Sequence, residues 1–251
     1  MILEKFRLDE QVAIVTGGTK GIGKSITMAL AEAGADVAVV SRSPHPDIER
    51  KISGMGRRYL HHSADLTLRE QTREVIPSIL DAMGDIDILV NNAGFARRGT
   101  AEKITEKDWD KVIEINLTAP FLLSQVAGRI MLKKGKGKII NIGSIMSLQG
   151  GASLAYVGSK HGLAGLTKAL SNNWARRGIN VNAIAPGFIT TEFTAVRWND
   201  PDFYNYVVQR TPAGRWGDSE DIAGTAVFLA SAASDFLNGV ILPADGGWLA
   251  K

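Results

Sequence analysis

The sequence predicts an α/β protein built on one doubly wound parallel sheet with helices on both faces. Two observations carry this expectation. Short β-branched runs of strand length alternate with longer stretches of helical period, and no Pro/Ser-rich linker, repeat or low-complexity tract interrupts the alternation. The 251 residues, 45% hydrophobic and 22% charged, suffice for a full buried core and are read as a single domain, 1–251.

Strands are expected at 12–15, 37–40, 86–90, 138–142, 179–184 and 240–242, short β-branched runs that read as buried parallel strands. Between the first two, Ile22, Ile26, Ala29, Leu30 and Ala33 fall on one face of a helix that Gly34 can terminate. Strand, helix, strand follows. One segment breaks the rhythm: about 187–214 holds Pro201, Pro212 and the aromatics Phe188, Phe193, Trp198, Phe203, Tyr204 and Tyr206 without a clean period. It reads as a long irregular loop, either a substrate lid or an excursion over a core edge.

Lys and Arg number 29 against 26 Asp and Glu, a net charge of +3 spread over many groups. The densest basic stretch, from Lys133 to Lys138, has no aromatic interleaving and reads as a solvated turn rather than a nucleic-acid patch. There is no cysteine, so disulfides, thiolate nucleophiles and Cys-ligated zinc are excluded. His61 and His62 alternate on a strand, and His45 and His161 lack ligand-spaced partners, so no metal is expected. The segment from Met1 to Arg7 has no leader-like apolar run, and no run of about 18 apolar residues occurs. A cytoplasmic protein with neither nucleic-acid nor membrane partners is the expectation.

Chemistry enters at Thr16-Gly17-Gly18-Thr19-Lys20-Gly21-Ile22-Gly23, between the first strand and its helix. Glycines let the backbone turn tightly against a ligand, and the helix N-terminus offers unpaired N–H groups to a pyrophosphate. Gly17, Thr19, Lys20, Gly21, Ile22 and Gly23 are therefore candidate dinucleotide contacts. The second strand ends in Val40-Ser41-Arg42-Ser43, without the acid that would accept hydrogen bonds from a ribose 2′-hydroxyl. Arg42 can offer a planar fork to a 2′-phosphate, with Ser41 and Lys20 beside it, so NADP(H) is expected to be preferred, with NAD(H) left open.

Tyr156 and Lys160 are four residues apart in a stretch of helical content and so share a face. A free phenol titrates near pH 10; a neighbouring ammonium and a cationic nicotinamide favour phenolate, which makes Tyr156 a candidate general acid/base. Ser144 follows the strand at 138–142, at the end where open α/β sheets bind ligands. Asn91-Asn92-Ala93-Gly94 follows another strand, with Asn116 in the helical stretch beyond.

These motifs, with Asp65 and Pro186-Gly187 followed by Thr191, resemble the short-chain dehydrogenase/reductase family across essentially the whole chain. The resemblance implies a seven-stranded Rossmann-type sheet in the order 3-2-1-4-5-6-7. It implies Tyr156 as proton donor or acceptor, Ser144 bonded to the substrate oxygen, Lys160 on the nicotinamide ribose and lowering the Tyr156 pKa, and Asn116 holding a relay water. Asp65 would contact adenine, Asn91 would sit by the ribose, Ile189 and Thr191 would position the carboxamide, and Leu66, Asn92, Ala93, Gly94, Pro186 and Gly187 would be further cofactor contacts. A homotetramer paired through the Tyr156 helix is also implied, although Gly158, Gly162 and Gly165 fit close packing within one chain equally well.

Further stretches, including Gly94-Phe95-Ala96-Arg97-Arg98, Ser147-Leu148-Gln149-Gly150-Gly151 and the ending Asp245-Gly246-Gly247-Trp248-Leu249-Ala250, resemble the sugar-acid dehydrogenases of the family. A keto group on a short polyhydroxylated carboxylic acid is the implied substrate, with Arg97 or Arg98, Met146 and Gln149 around it beside Ser144 and Tyr156. The paired arginines read equally as surface charges. A 3-oxoacyl thioester reductase using the same residues, and a cofactor-binding protein without chemistry, are the rival readings.

Overall fold

The computed structural model describes residues 1–97 and 99–251. Strands β1 (Val12–Thr16), β2 (Asp36–Ser41), β3 (Tyr59–Ser63), β4 (Ile88–Asn91), β5 (Gly137–Ile142), β6 (Ile179–Pro186) and β7 (Ile241–Ala244) form one sheet. Its order is 3-2-1-4-5-6-7 and every pairing is parallel. The five inner strands are buried almost throughout and the edges β3 and β7 only partly, as a parallel sheet covered on both faces requires.

Helices follow the strands: α1 (Gly21–Glu32), α2 (Pro46–Gly54), α3 (Arg69–Met83), α4 (Glu106–Ile113), α5 (Ala119–Lys134), α6 (Leu154–Trp174), α7 (Ala195–Trp198), α8 (Pro201–Arg210) and α9 (Glu220–Ala230). The period-2 alternation of the strands divides the core into two layers. Ala13, Val15, Val37 and Val39 pack under Ile26 and Leu30 of α1 and Ala226 and Leu229 of α9. Val12, Ile14, Ala38 and Leu89 face the other way, onto Val75 and Ile79 of α3 and Leu123 and Ala127 of α5. Because β1 pairs with β2 on one side and β4 on the other, the connections leaving β1 and β4 diverge and open a crevice at the strand ends.

Gly34, at φ +116°, takes the chain out of α1 as expected. A π-helical turn, Glu114–Thr118, joins α4 to α5. The resulting stretch Glu106–Lys134 is long and apolar enough to cross a membrane by length and composition, but it packs as a core helix, with Val112, Asn116, Leu123, Ala127 and Met131 buried.

Two expectations need correcting. The 187–214 segment is not irregular: it carries the short turn Glu192–Thr194 and helices α7 and α8. Asp200 caps α8 by accepting from the Asp202 and Phe203 amides, with Pro201 in the first turn. The aromatic side chains serve several faces of two short helices, so no single period emerges. The basic stretch is likewise more than a solvated turn. Lys134 bonds Asp85 and Asp87, and Lys138 lies buried on β5 with its Nζ 2.7 Å from Asp235.

Candidate active site

The turn after β1 is shaped by glycine. Gly17 and Gly21 have φ of +64° and +49°, in the region that glycine alone adopts freely. A Cβ on Gly23 would stand 2.2 Å from the Gly17 carbonyl oxygen and 2.3 Å from Asn92 Nδ2, so only glycine fits there. The end of β4 is stapled to this turn: Asn92 Nδ2 donates to the carbonyls of Thr16 (2.8 Å) and Gly17 (3.2 Å), while Thr16 Oγ1 accepts from the Asn92 and Ala93 amides. The amides at the start of α1 face a cleft of about 540 Å³ whose walls include Gly17, Lys20, Gly21, Ile22, Gly23, Asn92, Ala93 and Gly94. This is the backbone cradle that a dinucleotide needs, and the residues present fit one.

Ser144, Met146, Tyr156 and Lys160 line the same cleft, as do Pro186, Gly187, Ile189 and Thr191. Ser144 is placed by a turn at the end of β5, where its Oγ accepts from the Met146 amide at 3.1 Å. On α6, Tyr156 and Lys160 share a face as expected, with Nζ 5.6 Å from the phenol ring centre. Lys160 is buried and its Nζ donates to the Ile142 carbonyl at 2.6 Å. Burial pushes the Lys160 ammonium down to about 8. Burial also raises the Tyr156 phenol above its usual value, and a hydrogen bond with Ser144 and the charge of Arg197 only partly offset this. Desolvation dominates, and Lys160 is not among the causes that shift the phenol.

Asn116 sits buried in the π-helical turn, close to Gly94. Its Oδ1 accepts from the Phe95 amide (2.8 Å), and its Nδ2 donates to the Phe95 carbonyl (2.9 Å) and Ser159 Oγ (3.0 Å). Both amide protons are engaged, so the side chain ties the 95 segment to α6.

Other expected contacts lie elsewhere. The Asn91 side chain is not beside a ribose: it is buried in the core and donates to Ser124 Oγ (3.1 Å) and Asn141 Oδ1 (2.8 Å). A strand-end residue points to one face or the other, and Asn91 takes the inner one. Arg97 leaves the cleft to pair with Asp108 at 3.0 Å, while Arg98 lies outside the described residues. Gln149 turns towards the C-terminus, accepting from Trp248 Nε1 at 3.2 Å. Lys20 lines the cleft with its ammonium 3.0 Å from Glu192.

Thr19, Ser41, Arg42, Asp65 and Leu66 stand outside these cleft walls. Ser41 Oγ lies 3.0 Å from His61 Nε2 and donates to the Ser43 carbonyl. Burial works against ionised Asp65, but the hydrogen bonds from Thr67 and the charges of Arg42 and Lys111 outweigh it and hold the carboxyl below its usual range.

Two further side chains of the 187–214 segment line the cleft. Phe193, from the Glu192–Thr194 turn, lies 6.1 Å from the Tyr156 ring, and Arg197 of α7 stacks on Phe203 at 5.4 Å. The Asp200-Pro201 pair, a cap followed by a helix-starting proline, was the available signal that this segment is helical.

A cradle for a dinucleotide facing a buried lysine, a tyrosine and a serine defines an oxidoreductase that uses a nicotinamide cofactor on CH–OH groups. A family model described as Enoyl-(Acyl carrier protein) reductase matches residues 17–249, and the chain belongs to the short-chain dehydrogenase/reductase family. It is 46% identical over 250 residues to a 2-dehydro-3-deoxy-D-gluconate 5-dehydrogenase of Bacillus subtilis (strain 168), covering 99% of this chain and 98% of that one. Identity to a gluconate 5-dehydrogenase of Gluconobacter oxydans (strain 621H) is 39%, over 96% of each chain. A crystal structure of a gluconate 5-dehydrogenase from Burkholderia cenocepacia J2315, in complex with NADP and tartrate, superposes with a TM-score of 0.94 at 38% identity over 100% of both chains.

Proposed function

We propose that this protein interconverts a secondary alcohol and a ketone on a short sugar acid, such as 2-dehydro-3-deoxy-D-gluconate or 2-deoxy-D-gluconate, with NADP(H) as the preferred cofactor. The single observation that carries the chemistry is the convergence of Ser144, Tyr156 and Lys160 on one cleft with the glycine turn. The sugar-acid reading is supported by the Bacillus subtilis and Gluconobacter oxydans relatives. A bound nicotinamide supplies or accepts the hydride. Tyr156 donates the proton to the alkoxide oxygen that forms on reduction, or takes it on oxidation. The Ser144 hydroxyl hydrogen-bonds that oxygen. Lys160 would hold the nicotinamide ribose, and its charge, together with that of an oxidised nicotinamide, would favour the phenolate. Asn116 keeps the backbone beside Lys160 in place and would hold a relay water there.

Arg42 and Ser41 support the phosphorylated cofactor: a guanidinium and a hydroxyl stand where an acid would repel a 2′-phosphate. The segment 187–214 acts as a substrate cover within one catalytic domain, and we take the assembly to be a homotetramer paired through α6. The exposed stripe of Leu154, Gly158, His161 and Gly165 on that helix fits such a contact, and a methyl on Gly165 would meet nothing within its own chain. Gly162, by contrast, makes room for Leu117 of the same chain.

Turnover on a panel of sugar acids, uncharged sugars and 3-oxoacyl thioesters tests the reading, with sugar acids expected to be fastest; a thioester in first place would replace it. Tyr156→Phe is expected to lose roughly 10²–10⁴-fold in kcat while binding NADPH nearly normally.

A further inference from the structure

Strand β3 carries two histidines that the chemistry above does not use, His61 and His62. The proposed cofactor preference rests on Arg42, an exposed side chain in the turn that leaves β2, where no helix or strand fixes its direction. That turn is held from the β3 side by three hydrogen bonds. The Ala64 amide donates to the Ser41 carbonyl at 3.2 Å, Ser63 Oγ donates to the Arg42 carbonyl at 3.3 Å, and His61 Nε2 meets Ser41 Oγ at 3.0 Å. Counting protons gives the direction of the last one. A serine hydroxyl has a single hydrogen, and Ser41 gives it to the Ser43 carbonyl at 2.7 Å. Ser41 Oγ therefore accepts from His61, whose Nε2 carries a hydrogen.

We propose that His61 is a positioning residue for dinucleotide selectivity: through the Ser41 hydroxyl it fixes the 41–43 turn, so that the Arg42 guanidinium is presented to a 2′-phosphate. The inference deepens the NADP(H) reading and rests on it. The imidazole bonds Ser41 on one side of Arg42, Ser41 in turn bonds Ser43 on the other, and Ser63 holds the carbonyl between them. With its hydrogen spent on Ser43, the Ser41 hydroxyl serves the turn, and the fork of Arg42 is the group that reads the phosphate. A long exposed side chain loses conformational freedom when it forms such a fork, and a turn fixed beforehand leaves less to lose. NADH has a hydroxyl where NADPH has the phosphate. Its binding draws on the same glycine turn but not on the direction of Arg42.

The experiment titrates NADPH and NADH into the wild-type protein and into His61→Leu, His61→Gln, Arg42→Ala and the Arg42→Ala/His61→Leu double variant. The readout is the ratio of the NADH to the NADPH dissociation constant, which needs no turnover and in which a general loss of folded protein cancels. Wild type should bind NADPH more tightly. His61→Leu should cut the ratio by roughly three- to tenfold, the worth of one hydrogen bond, through NADPH alone. His61→Gln, whose side-chain amide can donate to Ser41, should keep most of the ratio. In the Arg42→Ala background, His61→Leu should change nothing further, because the imidazole acts through the arginine. A wild-type ratio in His61→Leu, an equal weakening of both dinucleotides, or a further loss in the double variant would overturn the assignment and leave the NADP(H) reading intact. A wild-type protein that binds both dinucleotides alike would overturn both.

Discussion

At Lys160 and Tyr156 burial works on two groups of opposite sign. It disfavours the ammonium of one and the phenolate of the other, so the site holds both nearer neutrality than water would. For Lys160 the consequence is a stability term with a definite sign. Its pKa is about 8 when folded against 10.5 ordinarily, so below pH 8 the fold carries the full cost of a buried cation, and that cost fades as pH rises from 8 to 10.5. Lys160→Met should therefore melt at a higher temperature than the wild type at pH 7, lose activity, and lose its thermal advantage progressively across that window; thermal unfolding at a series of pH values checks it. The proposed preference for NADP(H) rests on a single side chain. Arg42→Ala should weaken NADPH binding at least tenfold and leave NADH nearly unchanged, read by titrating each reduced dinucleotide. Tyr156, Lys160 and Ser144 were legible in the sequence because helical spacing and a strand end constrain them locally. Arg197 was not: its place in the cleft depends on where a short helix folds back, and Arg97, which looked the better anion receptor, is captured by Asp108 on a neighbouring helix.

Among the elements, the β1 turn and α1 are where local and global requirements coincide. The glycines demanded by the turn are the same ones that keep Asn92 and the Gly17 carbonyl within reach, so sequence pattern and packing agree. The 187–214 segment shows the opposite case. Its helix α8 is held at the start by the Asp200 carboxylate on two backbone amides, at 3.1 and 3.3 Å, and it carries the Phe203 ring that supports Arg197. Asp200→Ala should cost about 1 kcal/mol, a fall of roughly 2–4 °C in Tm for a chain of this size. If the segment covers the substrate as proposed, α8 acts on it from outside the proton-transfer cluster, and KM for the acid should rise more than kcat falls. Steady-state kinetics beside a melting curve would show it. The helix itself escaped the periodicity reading because its aromatics are shared between Trp216 and Trp248, leaving no single apolar face.

For the whole molecule, the exposed face of α6 sets an expectation about assembly: sedimentation should find a particle four times the 27.0 kDa of one chain, and a monomer would refute the α6 pairing. The sequence by itself determined the layered α/β architecture, the dinucleotide turn and the Tyr156–Lys160 pair, because strand burial, helix spacing and glycine geometry act over a few residues at a time. Only the tertiary structure decided which polar residues at the strand ends face the cleft and which the core. Asn91 and Asn92 are adjacent, yet one joins Ser124 and Asn141 inside while the other clasps the glycine turn. The tertiary structure likewise placed Arg197 on the cleft wall and drew Arg97 away to Asp108. Such choices depend on partners far away along the chain, and residue type and spacing carry no record of those partners.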